Sequence, residues 1–458
     1  MQYNFDFDWR FFQGDLQEAQ VANLDDSSWQ SVNVPHDFSI FGSIDEANPS
    51  GRSMGWYPAG IGWYRKTFTI PPHMQGRKIF IDFDGIYWKS DVWINGVHLG
   101  FRPNGYIGFR YDLTPHVNLE GTNVLAVRVD NSEQPNTRWY SGSGIYRHCR
   151  LVALNPIHIA HWGTYITQPN VSESSATIHL SATINNAFDQ PKRAEIRSSI
   201  YDSQKNLIAC ESCRMDFAPH SSGSVDLEFS IDAPKLWSPR NPHLYSVKTE
   251  VIENGCCVDC HTDPLGIRFI EFDPTTGFSI NGEHMKLKGV NIHQNVGGVG
   301  AAAPDRMIER RLELLKRMGC NAIRTAHYPH SPVFMDLCDR MGFLVMDEAF
   351  DGWWMPKRDF GYHQYFFDWW ERDLTDQIRR DRNHPCVILW SIGNENHERK
   401  TTEGAEHARK MVDFIHRLEP TRPVTAGVNH VHWANDSGFA QQLDVVGYND
   451  GGGSCFHY

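Results

Sequence analysis

The sequence predicts three folded units in series: a jelly-roll β-sandwich, an immunoglobulin-like β-sandwich and an incomplete (β/α)8 TIM barrel. Three observations predict this. The 458 residues suffice for about three domains. Up to about residue 268, apolar and polar side chains alternate with period two between Gly, Asn and Pro punctuation, which is the strand pattern. From about residue 271 the period lengthens, and short apolar strands alternate with helices, the signature of βα units and a parallel sheet.

In the first unit, residues 1–155, segments 78–83, 90–94 and 123–129 read as strands. Asn95-Gly96 follows the second and signals a type I′ hairpin, a turn that needs positive φ at both positions. Many short strands with such turns make a two-sheet jelly roll. The second unit, residues 156–268, alternates over 177–184, 225–231 and 244–251, and its length suits one immunoglobulin-like sandwich. Pro234, Pro239 and Pro242 mark a loop between strands, not a domain boundary.

The third unit, residues 271–458, places strands at 286–291, 321–325, 343–348, 387–392, 423–426 and 443–446. A helix opens at Asp305 after Pro304, with Ile308, Leu312 and Leu315 on one face and Gly319 as its stop. Ser331-Pro332 opens the next, with Phe334, Leu337 and Met341 aligned and Gly342 ending it. The third helix carries Phe367, Trp370, Leu374 and Ile378, the fourth Ala408, Met411, Ile415 and Leu418. Six βα units point to a (β/α)8 barrel, with a doubly wound sheet as runner-up. The segment is shorter than the about 250 residues of a typical barrel, and the tail after Val446 has no room for two more strands and their helices. Strands one and six are then expected to expose unpaired edges, which predicts aggregation or a homo-oligomer joined through the opening.

Composition narrows the function. Lys plus Arg number 43 against 55 Asp plus Glu, a net charge of −12 that disfavours phosphate backbones and anionic membranes as partners. No apolar run approaches a membrane span, the longest being 386–392. The start Met1-Gln-Tyr-Asn-Phe has no basic region followed by an apolar stretch, so the chain as written reads as cytoplasmic, or as periplasmic or secreted if a leader was lost. Aromatics reach 12 %; they suit core packing first and stacking on sugar rings second.

Barrel enzymes do chemistry at the C-terminal ends of their strands. Polar groups gather there: Asn291 and His293; Arg324, His327 and Tyr328; Asp347, Glu348, Asp351, Trp353 and Trp354; Asn394, Glu395, Asn396 and His397; Tyr448 and Asn449. Such a rim favours an active site over scattered structural polars. Trp390-Ser-Ile-Gly-Asn-Glu395 delivers a carboxyl group straight off an apolar strand. Glycosidic cleavage needs a carboxylic acid to protonate the leaving oxygen and a second carboxylate. The bland alternative is that Glu395 only caps the following helix.

Ser391-Ile-Gly-Asn-Glu395, preceded by Asp381-Arg-Asn-His-Pro385, resembles the signature of glycoside hydrolase family two, the β-galactosidase and β-glucuronidase family. So do Lys288-Gly-Val-Asn-Ile-His293, Asn321-Ala-Ile-Arg-Thr-Ala-His327 and Asp347-Glu-Ala349. In the front unit, Val34-Pro-His-Asp37, Gly60-Ile-Gly-Trp-Tyr-Arg-Lys66 and Trp139-Tyr-Ser-Gly-Ser-Gly-Ile-Tyr-Arg147 look like that family's jelly roll. The resemblance implies a retaining β-glycosidase of β-galactosidase type acting on terminal non-reducing sugars, with Glu395 as general acid/base and Asn394 on the sugar 2-hydroxyl. It implies that His293 and His327 contact substrate and that Arg324 orients the nucleophile. The family's nucleophile is a Glu ending strand seven; Glu398, Glu403, Glu406 and Glu419 all lie in or beside the helix after Glu395, so none fits that place. A truncated, non-catalytic member or a β-glucuronidase-type specificity is the alternative reading.

Two departures from the family bear on substrate and metal. The best-known β-galactosidases bind magnesium with a Glu and a His shortly after strand three; Phe350-Asp-Gly-Trp-Trp354 has no His, so no metal or other cofactor is expected. The front-unit loop that reaches the pocket reads Arg138-Trp-Tyr140, without a carboxylate, which argues against ordinary lactose specificity. Trp353 and Trp354 are placed at a sugar subsite, with buried packing of one as the alternative.

Cys210-x2-Cys213 and Cys257-x2-Cys260 have zinc-site spacing, but an extended strand turns the two sulfurs of such a pair to opposite faces, so incidental thiols are expected. His430 and His432 read as solvated loop residues.

Overall fold

The computed structural model describes residues 1–449, so the glycine-rich tail from Gly451 lies outside the described residues. In the front unit a six-stranded antiparallel sheet, ordered Gln30–Val32, Trp9–Gln13, Gly60–Thr69, Thr122–Asn131, Ser90–Ile94, Val97–Arg102, faces a four-stranded one. The second sheet runs Gln2–Asn4, Cys149–Leu154, Lys78–Phe83, Phe109–Asp112. Trp9, Tyr64, Ile81, Val92 and Leu125 fill the space between them. Asn95 and Gly96 sit at φ 52° and 84°, the two positive values a type I′ hairpin requires.

The middle unit stacks a three-stranded sheet (Ile157–Val171, Ser175–Asn186, Ser221–Asp232) on a four-stranded one. That second sheet is ordered Leu207–Phe217, Lys192–Tyr201, Tyr245–Glu253, Cys256–Leu265. Its outer strands carry the two cysteine pairs, which therefore sit on opposite edges and cannot share one zinc ion. The proline loop at 233–244 reaches away from its own sandwich. It buries Trp237 in the core of the third unit, where the indole N–H donates to the Asp339 carbonyl at 2.9 Å.

The third unit is a six-stranded parallel sheet in sequence order, an arc of a (β/α)8 barrel among the described residues. Its strands are β1 (Gly289–Ile292), β2 (Ala322–Thr325), β3 (Leu344–Glu348), β4 (Val387–Asn394), β5 (Val424–Val428) and β6 (Gly447–Tyr448). Helices α1 (Asp305–Arg317), α2 (Pro332–Met341), α3 (Phe366–Asp381) and α4 (Thr402–Leu418) connect them, with a short α5 (Val431–Asp436) before β6. The predicted punctuation operates as written: Ser331 Oγ accepts from the Phe334 N–H, and Gly342 ends α2 at φ 71°. A side chain at Gly342 would also stand 2.7 Å from the Pro239 carbonyl, so the position serves both a turn and a close approach.

Two local expectations fail. Phe366, not Phe367, joins Trp370, Leu374 and Ile378 in the core, leaving Phe367 62 % exposed. Residues 366, 370 and 374 are spaced by four, and one turn carries 367 off that line. The sixth strand lies at Gly447–Tyr448, after the expected 443–446. Asp444 accounts for the shift: its carboxylate accepts from the Val424 N–H at 2.7 Å and pairs with His416 at 2.8 Å. Its own N–H donates to the Val424 carbonyl. The apolar run is thus tied as a turn beneath β5, and pairing starts only past it.

Candidate active site

Strand β4 is buried along its whole length and ends at the C-terminal rim in Asn394. Gly393 has no space for a side chain, since a Cβ there would lie 2.0 Å from Asn396. The chain then turns sharply at Glu395, whose φ of 47° is in the left-handed region. A non-glycine residue held there costs about 1–3 kcal/mol of strain, tolerated where surrounding contacts fix it. Its N–H donates to the Gly427 carbonyl of β5 at 2.6 Å. The side chain keeps 23 % exposure, with Oε1 accepting from Asn449 Nδ2 at 3.2 Å and Oε2 lying 3.8 Å from Arg138. Glu395 caps no helix; the Thr401 hydroxyl caps α4.

Two carboxylates organise the surroundings. Glu348, at the end of β3, is fully buried. It accepts from Arg324 Nε at 2.8 Å, His327 Nδ1 at 2.7 Å and Ser391 Oγ at 2.6 Å. Arg324 also donates to Asn394 Oδ1 at 2.9 Å and to Asn449 at 3.3 Å. One buried carboxylate therefore fixes the residues expected to hold substrate, and among the described residues it is Glu348 that Arg324 orients. The second hub is Asp351. Arg138 binds it through Nη2 at 2.6 Å and Nε at 3.1 Å, Lys357 at 3.0 Å, and Asn394 Nδ2 at 3.1 Å. Burial pulls the Asp351 carboxyl upward, but the Lys357 and Arg138 cations outweigh it and hold it well below the usual range. Lys357 reaches the Asn394 carbonyl as well.

The front unit completes the wall. Its 137–140 loop brings Arg138 to Glu395 and Trp139 to 4.9 Å from His293 and 5.6 Å from His327, ring centre to ring centre. Tyr140 ties the loop back through a 2.7 Å hydrogen bond to Asp37. Burial, then the His327 ring, pull His293 down to about 4, so at neutral pH it offers sugar hydroxyls a neutral donor and acceptor. Beside Glu395, a cleft is lined by Arg138, Trp139, His327, Asp351 and Lys357.

Placement of the expected residues is uneven. Asn394, Glu395, Arg324 and His327 converge in one hydrogen-bonded cluster, and His293 lies at its edge beside Trp139. Trp353 borders the cleft without exposed surface of its own. It is wholly buried, its indole N–H donating to the Ile392 carbonyl at 2.8 Å behind β4, so the packing alternative describes it. Asn449 stands on the rim that the sequence marks, whereas Arg138 and Lys357 join the site without such a signal. Arg138 was noticed only as a missing carboxylate, and nothing in the local pattern around Lys357 shows that its ammonium folds back onto Asp351.

The residues offer little to a metal ion here. Asp351 is engaged by two cations, and Glu348 by an arginine and a histidine. Asp339, His384 and Cys386 lie within 4.8 Å of one another, but at the other end of the barrel. There Asp339 already accepts from His384 at 2.6 Å and from the Cys386 N–H at 2.9 Å.

Comparison with known proteins places all three units together. Profiles described as "Glycosyl hydrolases family 2, sugar binding domain", "Glycosyl hydrolases family 2" and "Glycosyl hydrolases family 2, TIM barrel domain" match residues 1–155, 157–268 and 274–447. The chain is 43 % identical to beta-galactosidase BoGH2A of Bacteroides ovatus, over 97 % of this chain and 56 % of the relative. It is 39 % identical to a putative beta-glucuronidase of Formosa agariphila, over 98 % of this chain and 41 % of that one. A solved family 2 member from Bacteroides cellulosilyticus superposes with a TM-score of 0.95 at 39 % identity, covering 98 % of this chain and 58 % of that one. Bacteroides uniformis beta-glucuronidase superposes with a TM-score of 0.88 at 27 % identity, covering 98 % and 55 %. The chain thus spans about half the length of these relatives.

Proposed function

The chain belongs to glycosyl hydrolase family 2, and from that premise we propose that it carries the acid/base half of a retaining β-glycosidase site, of β-galactosidase type. One observation carries the reading: Glu395 projects from the end of a buried barrel strand beside Asn394, Asn449 and Arg138, partly open to solvent. A retaining enzyme uses one carboxyl group to protonate the departing oxygen, then to deprotonate the incoming water. On this reading Asn394, held by Arg324 and Asp351, binds the sugar 2-hydroxyl, and His327 and neutral His293 bind neighbouring hydroxyls. The second carboxylate, the nucleophile, should lie about 5–5.5 Å from the first. Glu398 is buried and held by the Met355 N–H, and Glu419 bonds Trp390 below the barrel; Glu403 and Glu406 point outward on α4. The nucleophile is not one of these.

A second reading is favoured by one observation. Arg138 and Lys357 both border the cleft, and a β-glucuronide would bring a carboxylate within their reach.

The test is hydrolysis of p-nitrophenyl β-galactoside and β-glucuronide, with Glu395→Ala as control. The proposal expects any turnover to fall about 10²–10⁴-fold in the variant. Turnover that survives Glu395→Ala unchanged contradicts it, whereas a folded wild-type chain with none has the acid/base without its nucleophile. Preference for the glucuronide supports the second reading.

A further inference from the structure

Where the middle sandwich meets the N-terminal end of the barrel, opposite Glu395, there is a cavity of 160 Å³. Three guanidinium groups line it: Arg268 from the linker entering the third unit, Arg382 at the end of α3, and Arg422 just before β5. Thr167 and Thr421 add hydroxyls.

Arg268 is only 9 % exposed. Its Nε and Nη2 donate at 2.6 Å to the Pro385 and Val387 carbonyls, while Nη1 has no acceptor and no carboxylate lies within ion-pair distance among the described residues. Arg382 donates to the Trp162 and Thr164 carbonyls at 3.3 and 3.1 Å and lies over the Tyr165 ring at 4.4 Å, and its buried Nε has no hydrogen-bond partner. Arg422 donates to the Val387 and His384 carbonyls at 2.7 and 3.0 Å. It alone has a carboxylate, Glu419 at 3.4 Å. Of the three cations only Arg422 thus has a carboxylate in contact among the described residues. Burial, then the Arg422 cation, pull Arg268 down to about 9; burial, then Arg379, pull Arg382 down to about 10. Arginine keeps its proton at neutral pH, and Glu419, Asp339 and Asp263 offset the positive charge only in part. Buried charge in that condition is costly unless a counter-charge arrives.

We propose that this cavity binds one tetrahedral oxyanion, phosphate or sulfate, held by Arg268, Arg382 and Arg422. The planar fork of arginine matches such oxygens in pairs. The space is ample for the ion and its hydration. Bound there, the anion ties the sandwich, through Thr167 and Arg268, to the chain segments that start β4 and β5. Those strands present Glu395 at their far end.

The experiment is thermal unfolding of the whole chain in oxyanion-free buffer, titrated with sodium phosphate or sodium sulfate. Sodium chloride and sodium acetate at matched ionic strength are the controls. The proposal expects a saturable rise in Tm of about 2–4 °C with phosphate and sulfate only. The rise disappears in Arg382→Gln and persists in Arg138→Gln, which removes the cation nearest Glu395. An equal rise with chloride, a rise that survives Arg382→Gln, or one lost in Arg138→Gln overturns it. If Arg382→Gln does not fold, equilibrium dialysis of the wild-type and Arg138→Gln chains against radiolabelled phosphate decides. Saturable binding near one ion per chain in both supports the site; its absence from either overturns it.

Discussion

At the C-terminal end of the barrel, Arg138, Lys357, Arg324 and His327 each meet a carboxylate, whereas at the N-terminal end Arg268 and Arg382 hydrogen-bond only to carbonyl oxygens. The first arrangement fixes geometry. Glu348 and Asp351 are consumed in holding Arg324, His327 and Asn394, which leaves Glu395 the partly open carboxylate on the rim. The second arrangement leaves charge over, and charge left over in a cavity is available to a ligand. The same barrel thus positions with paired charge at one end and recruits with unpaired charge at the other.

The comparison is broken most severely at Glu348. Glu348→Gln strands a buried arginine, and the loss is about 3–5 kcal/mol in urea-induced unfolding; a loss below about 1 kcal/mol means that Glu348 is not the hub. At the other end, Arg268→Met frees the Pro385 carbonyl, while that of Val387 keeps its Arg422 donor, and it also removes a cation with no carboxylate in contact, so the loss is smaller, about 1–3 kcal/mol. The same unfolding curve, measured with and without phosphate, sharpens the contrast, since the loss should be larger with phosphate present. Smaller still is a clasp between the front unit and the start of α1. His148 hydrogen-bonds Asp6 at 2.6 Å and Asp305 at 3.0 Å, and the Asp6 bond raises it to about 9. Because the folded-state value lies above the ordinary 6.5, the clasp contributes fully below pH 6.5 and is lost as pH rises through about 9. Asp305→Asn should therefore lower Tm at pH 6 and make little difference at pH 10; an equal gap at both removes the clasp.

Much of this architecture is legible in the residues. Ser331, Gly342 and Asn95-Gly96 act locally, and their turns and caps form where the sequence puts them because nothing distant overrides them. Leu443 to Val446 misleads for the opposite reason: its apolar character is spent under β5, through the long-range bonds of Asp444. The site divides the same way. Asn394 and Glu395 are legible because one strand delivers both, and Arg324 and His327 because a neighbouring strand does. Arg138 joins them from another unit, and Lys357 from a loop whose fold depends on Asp351. Trp353 shows the limit of reading aromatics: its position on the rim in sequence becomes a buried wall once β4 passes in front of it.

The most direct test of Glu395 compares two β-galactosides that differ only in leaving group, p-nitrophenol against a simple alkyl alcohol, in wild type and Glu395→Gln. Unfolding should shift by no more than about 0.5 kcal/mol, since the side chain has little to hold in place. An acid is needed mainly when the leaving oxygen is basic, so kcat/KM for the alkyl galactoside should fall about 10²–10⁴-fold and that for the nitrophenyl compound much less. Equal losses for both substrates would contradict Glu395 as the group that protonates the departing oxygen.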